Sequence, residues 1–212
     1  MKTFLRARRA AGFTLIELMI VVAIVAILAL LAIFGVSKFL ATAKTAEATN
    51  TIGQINKLAI QAYDRESGNA ELIIAGGQSA TTAHSLCGNS VFVPDVATKI
   101  QNRKYTPNPV GDYQKVVANS NDNRNGWACL KHEMTEPQYY RYAYTGTVGN
   151  PAVVTPRLGT PANMPVGPHW LAEAEGDLDG DGTFGRFVTG GAISAAKTAI
   201  AFTQIVVENP EE

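Results

Sequence analysis

Two hydrophobic patterns follow one another along this chain. From Leu18 to Ser37, twenty consecutive residues carry no charge and nearly all are apolar, so a helix built from them has no polar face. At about 1.5 Å per residue, such a helix spans the ~30 Å hydrocarbon core of a bilayer. Beyond Ser37 the pattern becomes periodic. Ile52, Ile55, Ala59 and Ala62 recur at helical spacing, with Glu47, Asn50, Gln54, Lys57 and Gln61 largely on other faces. The same helix therefore continues in amphipathic form, with Gly68 as its C-cap. Counted from Phe13 it has about 54 residues and a length of about 80 Å. A head domain of this size cannot bury so long a helix. Its first half has to find apolar cover in a bilayer or against other copies of itself.

After Gly68, glycine, proline, asparagine and threonine interrupt short runs of strand character: QYYRYAYT, HWLAEAEG, TFGRFVTG and AIAFTQIVVE. A period of two places Tyr140, Tyr142 and Tyr144 on one face, where they serve as sheet packing. The predicted fold is α+β: a long N-terminal helix, its amphipathic half packed against a four-stranded antiparallel sheet.

Charge orients the apolar segment. The chain has 18 Lys and Arg against 18 Asp and Glu, a formal net charge of zero, so no basic excess points to nucleic acid. Four of those cations, Lys2, Arg6, Arg8 and Arg9, precede the apolar run without any acid. Without them, 14 cations face 18 acids, a net −4. Loops rich in Lys and Arg stay in the cytoplasm, so the remainder of the chain is exported. A secretory signal peptide shares this order of segments, but no small-residue cleavage site follows the apolar run at a suitable distance. Arg8 and Arg9 lack the flanks of a twin-arginine signal. Cleavage before the apolar run, between Gly12 and Phe13, would instead retain the helix in the mature protein.

The stretch GFTLIELMIVVAIVAILA, following a basic N-terminus, resembles the type IV pilins and the related pseudopilins of type II secretion. The resemblance covers Met1 to about Ser67 and is weak beyond it. It implies a class III signal, with Gly12 the last leader residue and Phe13 the new, N-methylated N-terminus. It also implies a pilin fold, with a cleaved leader at 1–12, a membrane and filament-core half of the helix at 13–37, an amphipathic half at 38–67 and a globular head at 68–212. The implied partners are a prepilin peptidase and N-methylase, an inner-membrane assembly platform and other copies of the chain in a helical filament. The protein would then sit in the bacterial inner membrane before assembly and on the cell surface afterwards. Where the family often has a glycine and then a kinking proline, this chain has Ala26 and Phe34, so a straighter helix is expected, with Gly35 left to provide any bend.

Glu17 is the anomaly within the apolar helix. A carboxylate there costs roughly 2.5 to 3.5 kcal/mol on insertion scales and calls for a compensating partner. Cleavage would create one, the α-amine of Phe13, with a pKa of about 7.7 to 8.0. The amine could come from the same chain, four residues away, or from a neighbouring subunit. The family reading makes Glu17 an assembly determinant through the second pairing. The plainer alternative is a glutamate snorkelling to the headgroups from a helix end.

Other features concern the head. Cys87 and Cys129 enclose 41 residues. In an exported segment a bond between them would stabilise the fold by about 4 kcal/mol, the alternative being two buried thiols. EGDLDGDGTF places Asp177, Asp179 and Asp181 alternately before Gly182, the opening of a calcium loop. The twelfth position of a full EF-hand loop is Val188, so the expectation is a shortened calcium loop completed by Glu175 or a main-chain carbonyl, or else a hairpin turn whose aspartates cap the backbone. No cofactor is expected to be required, and calcium is the candidate ion. His84, His132 and His169 are too scattered for a zinc site. No hydrolase, nucleotide-binding or metalloprotease motif occurs, and the chain reads as a substrate of processing enzymes and not as an enzyme. Three functions remain open: a type IV pilus subunit for motility, adhesion or DNA uptake, a type II secretion pseudopilin, and a monomeric membrane-anchored calcium-binding protein.

Overall fold

In the computed structural model, residues 12–65, 84–108, 111–114, 126–146 and 167–210 are described. Residues 1–11 and the expected C-cap Gly68 lie outside them. A single helix, α1 (Leu15–Asp64), carries both hydrophobic patterns, and the chain divides into two units, 1–41 and 42–212. In the first unit every described residue from Gly12 to Leu40 is exposed. A helix apolar all round has no preferred inward face, and this part of α1 has no core of its own.

In the second unit, α1 buries Ala48, Thr51, Ile52, Ile55, Asn56, Ala59, Ala62 and Tyr63. These residues recur three or four apart and make one stripe, which includes all four positions expected from the periodicity. The stripe packs on an antiparallel sheet of five strands: β1 (Arg141–Gly146), β2 (His169–Gly176), β3 (Gly185–Ile193), β4 (Ala199–Ala201) and β5 (Val206–Glu208). Tyr142, Tyr144, Trp170, Ala172, Ala174 and Phe187 belong to the same buried cluster as Ile52, Ile55 and Ala59. Large and small residues alternate across the register: Trp170 stands between Gly146 and Gly191, and Ala174 between Tyr142 and Phe187. Gly191 is required at its position, because a Cβ there would overlap the Trp170 ring and the Ile200 carbonyl. The Trp170 indole N–H donates to Asn56 Oδ1 at 2.6 Å, pinning helix to sheet with both groups buried.

One expectation is corrected in detail. AIAFTQIVVE forms two short strands and not one, and both pair with β3. Continuing the register of β4 would set Gln204 opposite Val188, yet Val206 stands there. Two extra residues therefore bulge out of the outer strand, where Phe202 N–H still reaches Gly190 O at 2.7 Å.

The opposite face of the sheet carries a row of charges. Arg141, Glu175, Arg186 and Glu208 are directly opposite one another on β1, β2, β3 and β5. Glu175 Oε2 accepts from Arg141 Nε at 3.1 Å and Nη2 at 2.7 Å. Glu175 Oε1 faces Arg186 Nη2 at 3.4 Å, and Arg186 Nη1 reaches Glu208 at 3.3 Å. The Glu175 side chain is only 1% exposed, so its charge depends on these guanidinium groups.

The short helix α2 (Gly126–Leu130) closes the other side of the core. Cys129 is disulfide-bonded to Cys87, with Cα atoms 5.8 Å apart. The Trp127 indole N–H donates to Val91 O at 2.9 Å, and the neighbouring segment follows the outer side of β1, where Val93 and Tyr142 exchange backbone hydrogen bonds. Buried Gln138 fills the corner: it donates to Val93 O and Tyr140 O and accepts from the Tyr113 hydroxyl, each at 2.8 Å. Beside it His132 lies edge-on to Tyr113 and tilted against Trp127, with ring centroids 5.4 and 5.3 Å away. Burial pushes the His132 imidazole down to about 4.

Two outcomes follow from these buried groups. Glu175→Ala leaves Arg141 without its carboxylate and should cost about 3 to 5 kcal/mol in chemical denaturation, whereas Glu208→Ala, at the exposed end of the row, should cost under about 1 kcal/mol. His132 is neutral in the folded state and ordinary in the unfolded one, so the unfolded state takes up more protons between pH 6.5 and about pH 4. Its contribution is present above pH 6.5 and is lost as pH falls through that window, by an amount on the order of 3 kcal/mol. Denaturation at several pH values should show this slope reduced in His132→Phe.

Candidate functional site

Helix α1 starts at Leu15, two residues later than expected, because Thr14 is its N-cap. The first turn closes with Leu18 N–H donating to Thr14 O at 3.2 Å. The Glu17 N–H reaches Thr14 Oγ1 at 3.3 Å, while Glu17 Oε2 accepts from the Thr14 N–H at 2.8 Å and from its hydroxyl at 2.7 Å. This is a reciprocal capping box, in which the cap and the third helical residue satisfy each other's donors. Its sequence signal is T-x-x-E ahead of an apolar run. The capping matters more here than at an ordinary helix start, because orphan N–H groups find no water inside a hydrocarbon layer.

The chemistry of Glu17 is therefore twofold. Its Oε2 serves the cap, while Oε1 accepts no hydrogen bond among the described residues. A second donor can approach that oxygen, and an amine at Phe13 is the donor that cleavage after Gly12 would supply. Phe13 is 88% exposed and Gly12 is exposed as well. From Leu15 to Leu40 the large apolar side chains are at least half exposed, with Phe39 at 72% and Leu40 at 52%. α1 is long and apolar enough to cross a membrane.

Among the described residues, one group of carboxylates lies close enough to hold a metal ion. Asp177, Asp179 and Asp181 present oxygens within 4.8 Å of one another in the turn joining β2 to β3. Asp177 is buried and fully engaged: Oδ1 accepts from Gly180 N–H at 2.6 Å, and Oδ2 from Gly182 N–H at 3.1 Å and Gln101 Nε2 at 3.0 Å. Asp179 and Asp181 are exposed and accept from the N–H groups of Asp181 and Thr183 at 3.1 and 2.6 Å. Gly180 and Gly182 take left-handed φ values of 86° and 91°, which explains the alternating Asp-Gly sequence. The aspartates thus shape the turn by themselves, while the second oxygens of Asp179 and Asp181 face solvent and could accept a cation.

Glu175, one of the two expected ways of completing that set, does not do so, because both its oxygens are committed to Arg141 and Arg186. The histidines are not brought together. His84 Nδ1 lies 3.0 Å from Tyr63 O, His132 belongs to the aromatic corner, and His169 sits at the start of β2 with Nδ1 2.9 Å from Gly167 O. A groove lined by Leu58, Gln61, Asp64, Arg65, Leu130 and Lys131 contains no nucleophile with a base beside it.

Residues 7–33 match the prokaryotic N-terminal methylation motif. The chain thus carries the class III signal of type IV pilins and pseudopilins, which covers Gly12, Phe13, Thr14 and Glu17 but not the head. The motif implies processing by a prepilin peptidase, and with the apolar helix it fits a protein anchored in the inner membrane. No curated protein and no solved structure gives a significant match.

Proposed function

We propose that this chain is a structural subunit of a type IV pilus, cleaved after Gly12 and polymerised through α1 into a filament that serves motility, adhesion or DNA uptake. The observation that carries this reading is a carboxylate whose Oε1 accepts no hydrogen bond among the described residues, at the start of the exposed apolar half of α1 and inside the matched motif. In a monomer Glu17 Oε1, which accepts no hydrogen bond among the described residues, would have its own Phe13 amine to meet. In a stack of copies the amine of the next subunit fits the same oxygen and sets the axial stagger. The chain itself acts as a scaffold and not as an enzyme. A pseudopilin of type II secretion is the second reading, favoured by the acidic turn between β2 and β3. A monomeric membrane-anchored calcium-binding protein is the third, and it leaves the exposed apolar surface of α1 outside any assembly.

The test separates the two roles of Glu17. Glu17→Gln retains an acceptor for the Thr14 cap but has no charge for an amine, whereas Glu17→Val lacks both. Both variants should insert into the membrane, and both should lose filaments in electron microscopy of whole cells. In the same preparations, mass spectrometry of the wild type should find a methylated Phe13 at the N-terminus. Normal filaments from Glu17→Gln would reduce Glu17 to a helix cap, and an intact Met1 in the membrane-extracted protein would remove the pilin reading. Loss of protein secretion in a deletion strain without loss of surface filaments would select the pseudopilin.

The acidic turn is proposed as a weak calcium site that reinforces an already formed hairpin. Its affinity should lie in the ~10⁻⁴ to 10⁻³ M range, since a bidentate acid is missing at the twelfth position. Calcium at 100 times its dissociation constant should stabilise the head by about 2.7 kcal/mol. Thermal unfolding of the full chain in detergent, with and without calcium, should show the shift in wild type and not in a double variant with Asp179→Ala and Asp181→Ala. Equal shifts in the two proteins would leave the loop as a turn only.

A further inference from the structure

The two halves of the disulfide are held unequally. Cys87 is 1% exposed and belongs to the core beside buried Leu86, whereas Cys129 is half-buried and packs on that core from its rim. Thiol–disulfide exchange begins with a thiolate attacking one sulfur of the bond, so access decides which sulfur is attacked. Here Cys129 is the one with surface to offer. The Arg65 guanidinium is fixed beside it, with Nη2 donating to Cys129 O at 2.7 Å. Positive charge so near favours a thiolate at Cys129 and draws in an anionic attacker.

The positions of the two cysteines do not depend on the bond. Trp127 and Leu130 stand on either side of Cys129 along α2, and both are fully buried in the core cluster. The Trp127 indole is tied to Val91 O, and Gly126 N–H donates to Gly88 O at 3.1 Å, which joins the start of α2 to the residue after Cys87. Three residues before Cys87, His84 has Nδ1 3.0 Å from Tyr63 O and its ring 5.5 Å from the Tyr63 ring. Moving Cys129 away means withdrawing an indole and a leucine from the interior, which costs more than the chain entropy that one cross-link removes. The sulfurs therefore stay neighbours whether or not they are joined.

We infer that Cys87–Cys129 is a redox-exchange site on a folded head, opened and closed through Cys129 by a protein partner carrying a dithiol. The partner's thiolate attacks Cys129 Sγ and forms a mixed disulfide, while the electron pair of the old bond passes to Cys87 Sγ, which takes a proton. The partner's second thiol, deprotonated, then attacks the partner's own sulfur in the mixed disulfide, and Cys129 leaves as a thiolate and takes a proton. Two electrons and two protons pass to the head, and the partner is left with a disulfide. The reverse sequence, with the oxidised partner, closes the bond. This site belongs to the head alone and is independent of the pilin reading.

The test uses the full chain in detergent. Excess dithiothreitol should open the bond, as read by mass spectrometry, while the near-ultraviolet circular dichroism of buried Trp127 and Trp170 is retained. A pulse of iodoacetamide on this reduced protein should alkylate Cys129 at least about tenfold faster than Cys87, and denaturant should abolish the difference. A thioredoxin lacking its second active-site cysteine, added to the oxidised chain, should be trapped on Cys129 and not on Cys87. Loss of the near-ultraviolet signal on reduction would overturn the proposal, since the bond would then hold the fold. Equal alkylation of the two thiols, or reduction only in denaturant, would overturn it as well. Opening by dithiothreitol without any trapping of thioredoxin would exclude a protein partner.

Discussion

One helix has to satisfy two different kinds of apolar surface, and the rest of the architecture follows from how it does so. Between Ala48 and Tyr63 the demand is met inside the chain, because hydrophobic and small residues fall on a single stripe that a sheet can cover. Between Leu15 and Leu40 there is no stripe, and nothing among the described residues covers the surface. At about 25 cal/mol per Å² of apolar area, leaving that many Leu, Ile, Val and Phe side chains in water is prohibitive. A bilayer or a bundle of like helices meets the demand. The head then has a narrower task, to bury one face of a helix whose remainder is committed elsewhere.

That division explains where polar groups are tolerated. At the start of α1 a hydrophobic environment makes backbone donors costly, and Thr14 and Glu17 satisfy them within four residues. Within the head, Asn56 meets Trp170, and Gln138 uses both the donor and the acceptor of its amide at the corner of β1. Glu175 is held between two arginines. Each of these fixes a relation between segments that apolar packing alone would leave adjustable.

The parts legible in the sequence are those set by neighbours close along the chain. The period of Ile52, Ile55, Ala59 and Ala62 marks the buried face of α1, and the alternation of Tyr140, Tyr142 and Tyr144 marks the inner face of the first strand, because local geometry decides which way such side chains point. The capping box is equally local, spelled by Thr14 and Glu17 three residues apart. What a local pattern cannot reveal is fixed by register. Asn56 and Trp170 are 114 residues apart, and no local pattern pairs them. Glu175, which nearness to Asp177 in sequence offers as a metal ligand, points to the other side of the sheet from its neighbour Ala174 and meets arginines from the strands beside it. The split of AIAFTQIVVE is hidden for the same reason, since its residues suit a strand throughout and only the pairing with β3 shows two of them to be surplus.

The break between β4 and β5 has a bearing on what happens when many copies stand side by side. An unbroken outer strand would present a continuous row of backbone donors and acceptors to any neighbouring chain, a template for runaway cross-β pairing. Here the row is cut into two three-residue pieces with an outward loop between them. A head with such an edge could be crowded against its own kind without zipping to it, so any contact between copies would be governed by side chains and shape and not by the indiscriminate grip of the peptide backbone.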